Sequence, residues 1–308
     1  MSTYFLRNTT ESPNFIKWLL GILLPLSLKR HLLYFKHYRR IGNFRNPKLF
    51  SEKMQWRIIN DRRERLRYTC DKRASKRIAN NIATKLGIDL RIPTQIAWST
   101  EPALFLAELH DAHESGRLPI RWVMKPNHSS GRALAVDGEP DWCLVESAAR
   151  RWMAPSRFSG LHWIWPYVVA EPGLLAEAFI PGQRPPLEWQ LWVFDGVVLY
   201  TVVQQRIGTQ PHRIIFDRYW NQVEPWYNRD ADLLSIDVPP TNWKKIQEVA
   251  LALGADWDLI RVDLFEDDHG QIWFSEFTPF PSEGLFSHRV GTESFDKSTG
   301  SVWHLPDL

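Results

Sequence analysis

The stretch from Leu259 to Phe277 constrains the chain most, because two apolar runs flank a short polar turn and carry acids among their hydrophobic residues. Leu259-Ile260-Arg261-Val262-Asp263-Leu264-Phe265 leads into Glu266-Asp267-Asp268-His269-Gly270, and a second apolar run follows over residues 271–277. This is the signature of a β-hairpin, with a five-residue polar loop ending in Gly as its connection. Side chains alternate along a strand, so Arg261 and Asp263 share one face. On the return strand the pattern offers either Ser275 or Glu276 to that face. Two acids on facing strands suit magnesium, which takes one or two carboxylates and completes its octahedron with substrate phosphates and water. Arg261 would add a fixed cation for an oxyanion or phosphate. The same pattern also fits a second reading, in which Asp263 and Glu276 are exposed strand carboxylates and Arg261 a cross-strand salt-bridge partner.

Four further blocks carry chemistry-bearing residues. Asp71-Lys72-Arg73-Ala74-Ser75-Lys76-Arg77 opens a helical stretch, where Lys72 either has a specific partner or simply solvates a helix face. Trp122-Val123-Met124-Lys125 reads as a strand, and Pro126-Asn127-His128-Ser129-Ser130-Gly131 as a small polar loop after it. Loop N–H groups with a Lys point charge can hold polyphosphate, although this loop has a single Gly and does not match a Walker motif. His128 could instead cap the loop. Leu174-Leu175-Ala176-Glu177-Ala178-Phe179-Ile180-Pro181-Gly182 is an apolar run with one acid and a breaker, and Glu188-Trp189-Gln190-Leu191-Trp192-Val193-Phe194-Asp195-Gly196 is a strand and turn.

Taken in order, and with Asn46-Pro47-Lys48-Leu49-Phe50-Ser51-Glu52-Lys53-Met54-Gln55-Trp56 ahead of them, these blocks resemble the ATP-grasp superfamily. More narrowly they resemble its TupA-like branch, which is associated with bacterial surface-polysaccharide clusters; the resemblance runs over roughly residues 40–300. It implies an α/β (α+β) ATP-grasp fold, with nucleotide held between a small lid subdomain and a C-terminal antiparallel-sheet lobe. It also implies roles: Lys72 and Lys125 on the phosphates of ATP, with His128, Ser129, Ser130 and Gly131 as the loop closing over them. Glu177 and the backbone around Phe179 would meet the adenine, and Glu188 the ribose, with an altered spacing after Gly182. Asp263 and Glu276 would hold Mg2+, joined by Thr278, which stands where many ATP-grasp ligases have Asn. Arg261 would sit near the reacting acyl carbon. Ser282, Gly284 and Arg289, after the metal strand, are the positions expected to select the substrate.

The chemistry so implied is carboxylate activation. A carboxylate attacks the γ-phosphate of ATP, an acyl phosphate forms, and an amine displaces phosphate to give an amide, in the making of a uronic-acid glycan or its precursor. Positioning and charge neutralisation carry most of what phosphoryl transfer demands, so no protein nucleophile is required. Other expectations remain open: a phosphotransferase or glycosyltransferase of the same pathway, or an ATP-binding scaffold without turnover. Cys70 and Cys143 lack Cys-x-x-Cys spacing, and no Gly-x-Ser-x-Gly or His-Glu-x-x-His occurs, which argues against thiol-redox, serine-hydrolase and zinc-protease chemistry. So few cysteines suit a reducing compartment.

With 308 residues and 44% hydrophobic content, the chain can bury one large core or several packed subdomains. Strand-like runs separated by helical stretches such as residues 242–253 predict an α/β fold with sizeable antiparallel sheets. Prolines near 93, 119, 155 and 181–186 place boundaries. They suggest a basic amphipathic segment over 1–45, an N-terminal α/β lobe over 46–118, a lid over 119–180 and a C-terminal lobe with the metal site over 181–308.

Charge is unevenly spread. Residues 1–80 hold 19 Lys and Arg against 5 Asp and Glu, within a chain whose net charge is only +3. Such a basic end attracts anions, from phospholipid headgroups to acidic glycans. Residues 15–28, too short to span a bilayer, read as a docking or interfacial helix, and peripheral membrane contact through residues 14–40 is one expectation. Lys17 and Pro25 interrupt that segment, so it does not read as a signal peptide, and the expected location is the cytoplasm or the inner face of its membrane. The 16 tryptophans, among them Trp152, Trp189, Trp192 and Trp220, fit either core filling or sugar platforms. No nucleic-acid recognition motif is present, and no such partner is expected.

Overall fold

The computed structural model describes residues 2–8, 21, 23–153, 160–182, 186–207, 210–224, 232–233, 242–286 and 292–307. Arg289 and much of the apolar stretch 15–28 lie outside the described residues. The chain forms two compact units: Met1–Leu24, Glu64–Ala74 and Pro93–Ile180 make the first, and Pro25–Arg63, Ser75–Ile92 and Pro181–Leu308 the second.

The first unit is built on five strands, β1 (Ser2–Asn8), β2 (Gln95–Ser99), β3 (Arg121–Pro126), β4 (Arg132–Asp137) and β5 (Leu174–Ala178), in the order β1-β4-β3-β5-β2. All neighbours are antiparallel. Two-residue alternation decides its layers. Trp122 and Met124, Leu134 and Val136, and Leu174 and Ala176 pack in one core with Phe105, Leu109, Val145, Ala148 and Trp152 from the helices Pro102–Glu114 and Trp142–Trp152. The residues between them, including Val123, Lys125, Leu175 and Glu177, therefore belong to the opposite face of the sheet.

The second unit carries six strands, β6 (Leu187–Phe194), β7 (Val197–Ile207), β8 (Gln210–Asp217), β9 (Asp232–Leu233), β10 (Leu259–Glu266) and β11 (Ile272–Thr278), in the order β11-β10-β6-β7-β8-β9. Only the β8–β9 pair is parallel. The helix Trp243–Gly254, beginning one residue after the expected start, covers an apolar face; a Cβ on Gly254 would lie 3.0 Å from Val193. Trp122, Trp152, Trp189, Trp192 and Trp303 are fully buried, so at these positions tryptophan fills core.

The expected hairpin is present, closed by Asp267, whose Oδ1 accepts from His269 N and Gln271 N, and by Gly270 at φ +74°. A bulge interrupts its ladder: Asp263 faces Glu276, yet Leu264 faces Phe274. Ser275 is the extra residue, and it shifts the phase of the return strand. Phe274 and Phe277 thereby stand opposite apolar Leu264 and Val262, while Glu276 and Thr278 stand opposite Asp263 and Arg261.

The helix Phe50–Asn60 fastens this hairpin. Arg57, fully buried, donates to Leu259 O and Pro279 O at 3.0 Å each, gripping the start of one strand and the exit of the other. Its carboxylate partners are Asp258 and, at 3.8 Å, Asp61. Phe50 sits among Trp192, Phe194, Phe286, Phe295 and Trp303, with ring centroids 5.3 to 6.1 Å away. Glu52, three residues into the helix, accepts from Leu49 N and Lys48 N, satisfying donors that a helix start leaves open. The Asn46–Trp56 motif is thus largely a device for seating one helix. Among the described residues no helix is long and apolar enough to cross a membrane.

Candidate active site

In the first unit the chemistry-bearing residues collect at one end of the sheet. Lys125 is the penultimate residue of β3, on the face opposite the helix-packed core, and its Nζ lies 3.3 Å from the carboxylate of Glu177 on adjacent β5. Lys125 remains partly exposed, whereas Glu177 is buried. The turn between β3 and β4 is held from three sides. Asn127, fully buried, takes the Arg73 N–H on its Oδ1 at 3.1 Å, donates from Nδ2 to Glu171 O at 2.9 Å and donates its own N–H to Gly173 O at 2.8 Å. Gly131 completes the turn at φ +76°, where a side chain would be strained.

Lys72 is the first residue of its helix and is 8% exposed, so it does not solvate a helix face. Its ammonium donates to Ser129 O, tying that helix to the turn. His128 is buried and accepts the Gly173 N–H on Nδ1 at 3.4 Å. Burial, then Lys72 and Arg132, pull its pKa down to about 4, so the ring is neutral at neutral pH. Phe179 donates its N–H to Arg121 O at 3.0 Å, and the Arg121 guanidinium lies 4.7 Å over its ring. Lys72, Lys125, His128 to Gly131, Glu177 and Phe179 thus all belong to this unit, and Asn127, quoted in the motif without a role, is the residue that pins it.

In the second unit the site lies on one face of the sheet. Arg261 grips Asp263 with two parallel bonds, Nε to Oδ1 at 2.7 Å and a terminal nitrogen to Oδ2 at 2.5 Å, and reaches Thr278 Oγ1 at 3.2 Å. Asp263 is 0% exposed and Arg261 4%, so the exposed-carboxylate reading of this strand is overturned. The salt bridge is real, but it runs along the strand between residues two apart. Burial raises the Asp263 carboxyl well above its usual range; Arg261 opposes this, and the charges of Glu276 and Glu188 add to it. Three acids crowding one buried face is a charge balance that a dication relieves.

Gln190 sharpens that conclusion. It pairs in register with Asp263 from β6, is 1% exposed, and donates from Nε2 to Glu188 Oε1 at 2.8 Å, which fixes its amide orientation. Its Oε1 has no hydrogen-bond partner among the described residues. A buried orphan acceptor asks for water or a cation. Asp263, Glu276, Thr278 and Gln190 stand side by side in register and carry oxygens of the kind magnesium takes, although among the described residues no three His, Cys, Asp or Glu are grouped to hold an ion. Gln204 donates to the other oxygen of Glu188 and accepts from Arg213 Nε at 2.6 Å. Sequence reasoning passed over Gln190 and Gln204, although the polar residue two places after Glu188 in an apolar strand was a signal.

Beyond the hairpin, Pro281–Gly284 forms a tight turn with Ser282 at φ +48° and Glu283 at φ +56°. Ser282 is exposed. Gly284 is buried against Met54, to which an added Cβ would approach within 2.6 Å, and its carbonyl accepts from Tyr38.

The antiparallel sheet with a buried Arg–Asp pair on a bulged hairpin, and the sheet that carries Lys125 and a pinned polar turn, hold the residues expected of an ATP-grasp chain. The profile of the family described as TupA-like ATPgrasp matches residues 52–303, and the chain belongs to that family. No match was found among curated proteins. Solved structures with similarity include an ADP complex of N5-carboxyaminoimidazole ribonucleotide synthetase, at 14% identity and TM-score 0.44, covering 73% of this chain and 46% of that one. The D-alanine–D-alanine ligase of Bacillus anthracis complexed with ATP has 16% identity and TM-score 0.39, covering 68% and 55%. That of Helicobacter pylori has 15% identity and TM-score 0.42, covering 77% and 61%. The chain thus spans about half to three fifths of the length of these structures.

Proposed function

We propose that the chain is an ATP- and magnesium-dependent carboxylate–amine ligase that forms an amide through an acyl phosphate. The observation that carries this reading is the buried constellation on β6, β10 and β11, where Arg261, Asp263, Glu276 and the unsatisfied oxygen of Gln190 share one face. Magnesium, when bound by Asp263, Glu276, Thr278 and Gln190, neutralises charge on the transferring phosphoryl group. The residues do the rest by position. Lys125 and Lys72 supply point charges for phosphate oxygens, and the Ser129–Gly131 turn supplies N–H donors. Glu177 and the Phe179 backbone would receive the adenine and Glu188 the ribose. Arg261, held by Asp263, keeps a fixed guanidinium where an oxyanion develops, so no reorganisation is needed during reaction. Ser282 and Arg289 are the proposed substrate-facing positions, and Gly284, packed against Met54, is proposed to shape the turn that carries Ser282.

The substrates proposed are a carboxylate on an acidic glycan or its precursor and a small amine, within surface-polysaccharide synthesis at the cytoplasmic face of the membrane. The test is magnesium-dependent ADP release across a panel of uronates and amino acids, with hydroxylamine added to trap acyl phosphate. Carboxylate-dependent ADP and a hydroxamate, both lost in Glu276→Ala, are expected. A phosphorylated hydroxyl product would sink the ligase in favour of a kinase.

A further inference from the structure

Within the second unit, the helices Leu26–Tyr38 and Phe50–Asn60 and the loop joining them line an open-sided cavity of about 540 Å³. Roughly 300–1,000 Å³ is usual for small-molecule sites. None of the residues assigned above to nucleotide, metal or substrate lines it.

Its lining is neither apolar nor acidic. Trp56, half-buried, and Phe44 give it aromatic surface; Asn43 and Asn60 give it amides; His31 stacks on Phe44 with centroids 4.1 Å apart. Burial lowers the His31 pKa, so the ring is uncharged at neutral pH. Arg45 then contributes the one charge of the lining, which contains no Asp or Glu. Arg45 is exposed, and among the described residues no acid pairs with it. The shape is built in: a Cβ on Gly42 would come within 2.9 Å of the Tyr34 ring, so only glycine lets the loop settle here. The acid of the helix Phe50–Asn60, Glu52, is spent on backbone N–H groups, including that of Asn43 at 2.9 Å.

A pyranose has an apolar C–H face that stacks on an aromatic ring and a rim of hydroxyls that pair with amides, and a sugar carboxylate matches a guanidinium fork. An unpaired cation disfavours basic ligands, and the polar rim disfavours purely apolar ones. We propose that this cavity, walled by Trp56, Phe44, Asn43, Asn60 and Arg45, binds a carboxylate-bearing sugar residue of a glycan. The proposal names the glycan side of the ligase reading and rests on that reading for its place in the reaction. The same two helices also hold the turn that follows the metal strand. Arg30 donates to Glu283 at 2.9 Å and Gln55 to Glu283 O at 2.7 Å, so a glycan seated here would rest on the scaffold that fixes residues 281–284.

The experiment is calorimetric titration of the full chain with β-1,4-linked tetraglucuronate and with cellotetraose, which differ only in the carboxylates, alongside magnesium-ADP. Tetraglucuronate is expected to bind at least tenfold more tightly than cellotetraose. Arg45→Gln, at an exposed position, should remove that difference, and Trp56→Ala should weaken both sugars at least tenfold, while magnesium-ADP binding stays unchanged in both variants. Equal binding of the two sugars, or tetraglucuronate affinity untouched by either variant, would overturn the proposal. Tetraglucuronate failing to bind a chain that binds magnesium-ADP overturns the cavity assignment alone. Sugar binding with no magnesium-ADP binding upholds the cavity and removes the ligase reading.

Discussion

The two units hold their functional residues in opposite ways. In the first, the cations stand near a strand end and at a helix start, Lys72 held by the backbone carbonyl of Ser129 in a short turn and Lys125 by the Glu177 carboxylate. In the second, the side chains are interlocked on the face of a sheet in two bonded groups, Arg261 with Asp263 and Thr278, and Glu188 with Gln190 and Gln204. A turn held by a few bonds can adjust around a ligand at small cost, whereas a buried ionic network resists any change that leaves one member unpaired. The first arrangement suits phosphate capture and the second suits a fixed electrostatic environment.

The largest expected break is Asp263→Ala, which strands the Arg261 guanidinium inside the sheet. Unfolding in denaturant should show a loss of about 3–5 kcal/mol, the usual cost of breaking a buried pair. A loss under about 1 kcal/mol would mean that the face is more hydrated than its burial indicates.

His128 gives the next effect, in the first unit. Its folded pKa, about 4, lies below its ordinary value of 6.5, so the neutral ring contributes stability that is fully present above pH 6.5 and is lost as pH falls through 4. Between pH 7.5 and 5 the loss should be about 2 kcal/mol, and His128→Gln should flatten that slope. An unchanged slope in the variant would assign the acid sensitivity to other groups.

Glu276→Gln separates function from stability. Glu276 is half-buried, and its charge raises the pKa of Asp263, so removing that charge should leave stability within about 1 kcal/mol of the parent. Magnesium-nucleotide affinity should nonetheless fall at least tenfold by titration. The smallest change is expected from Gln190→Met, with stability again shifting by less than about 1 kcal/mol because an orphan oxygen is removed along with one bond to Glu188. Mn2+ binding followed by paramagnetic resonance should weaken; unaltered binding would exclude Gln190 as a ligand.

Much of this was legible in the chain. The hairpin at 259–277, the strand before Lys125 and the helix over residues 243–254 follow from apolar periodicity and turn chemistry, which are local. The order of the blocks carried the family. What local pattern could not supply was the phase of the return strand: alternation offered Ser275 or Glu276 to the Asp263 face, and a one-residue bulge chose Glu276. Nor could spacing show that Lys72 reaches Ser129, 57 residues away, or that Glu188 and Gln190 converge on Asp263.

The sequence by itself determined which segments become strands and helices and which residue types are available for chemistry, because propensity and hydrophobic alternation act over a few neighbours. Tertiary structure alone decided that Asp263 is buried, that Arg261 serves it along the strand, that Gln190 is left with an unsatisfied oxygen, and that Trp56 and Arg45 border one cavity. Each of these depends on register and packing between distant segments, where burial sets the energy of a charge and no local pattern records it.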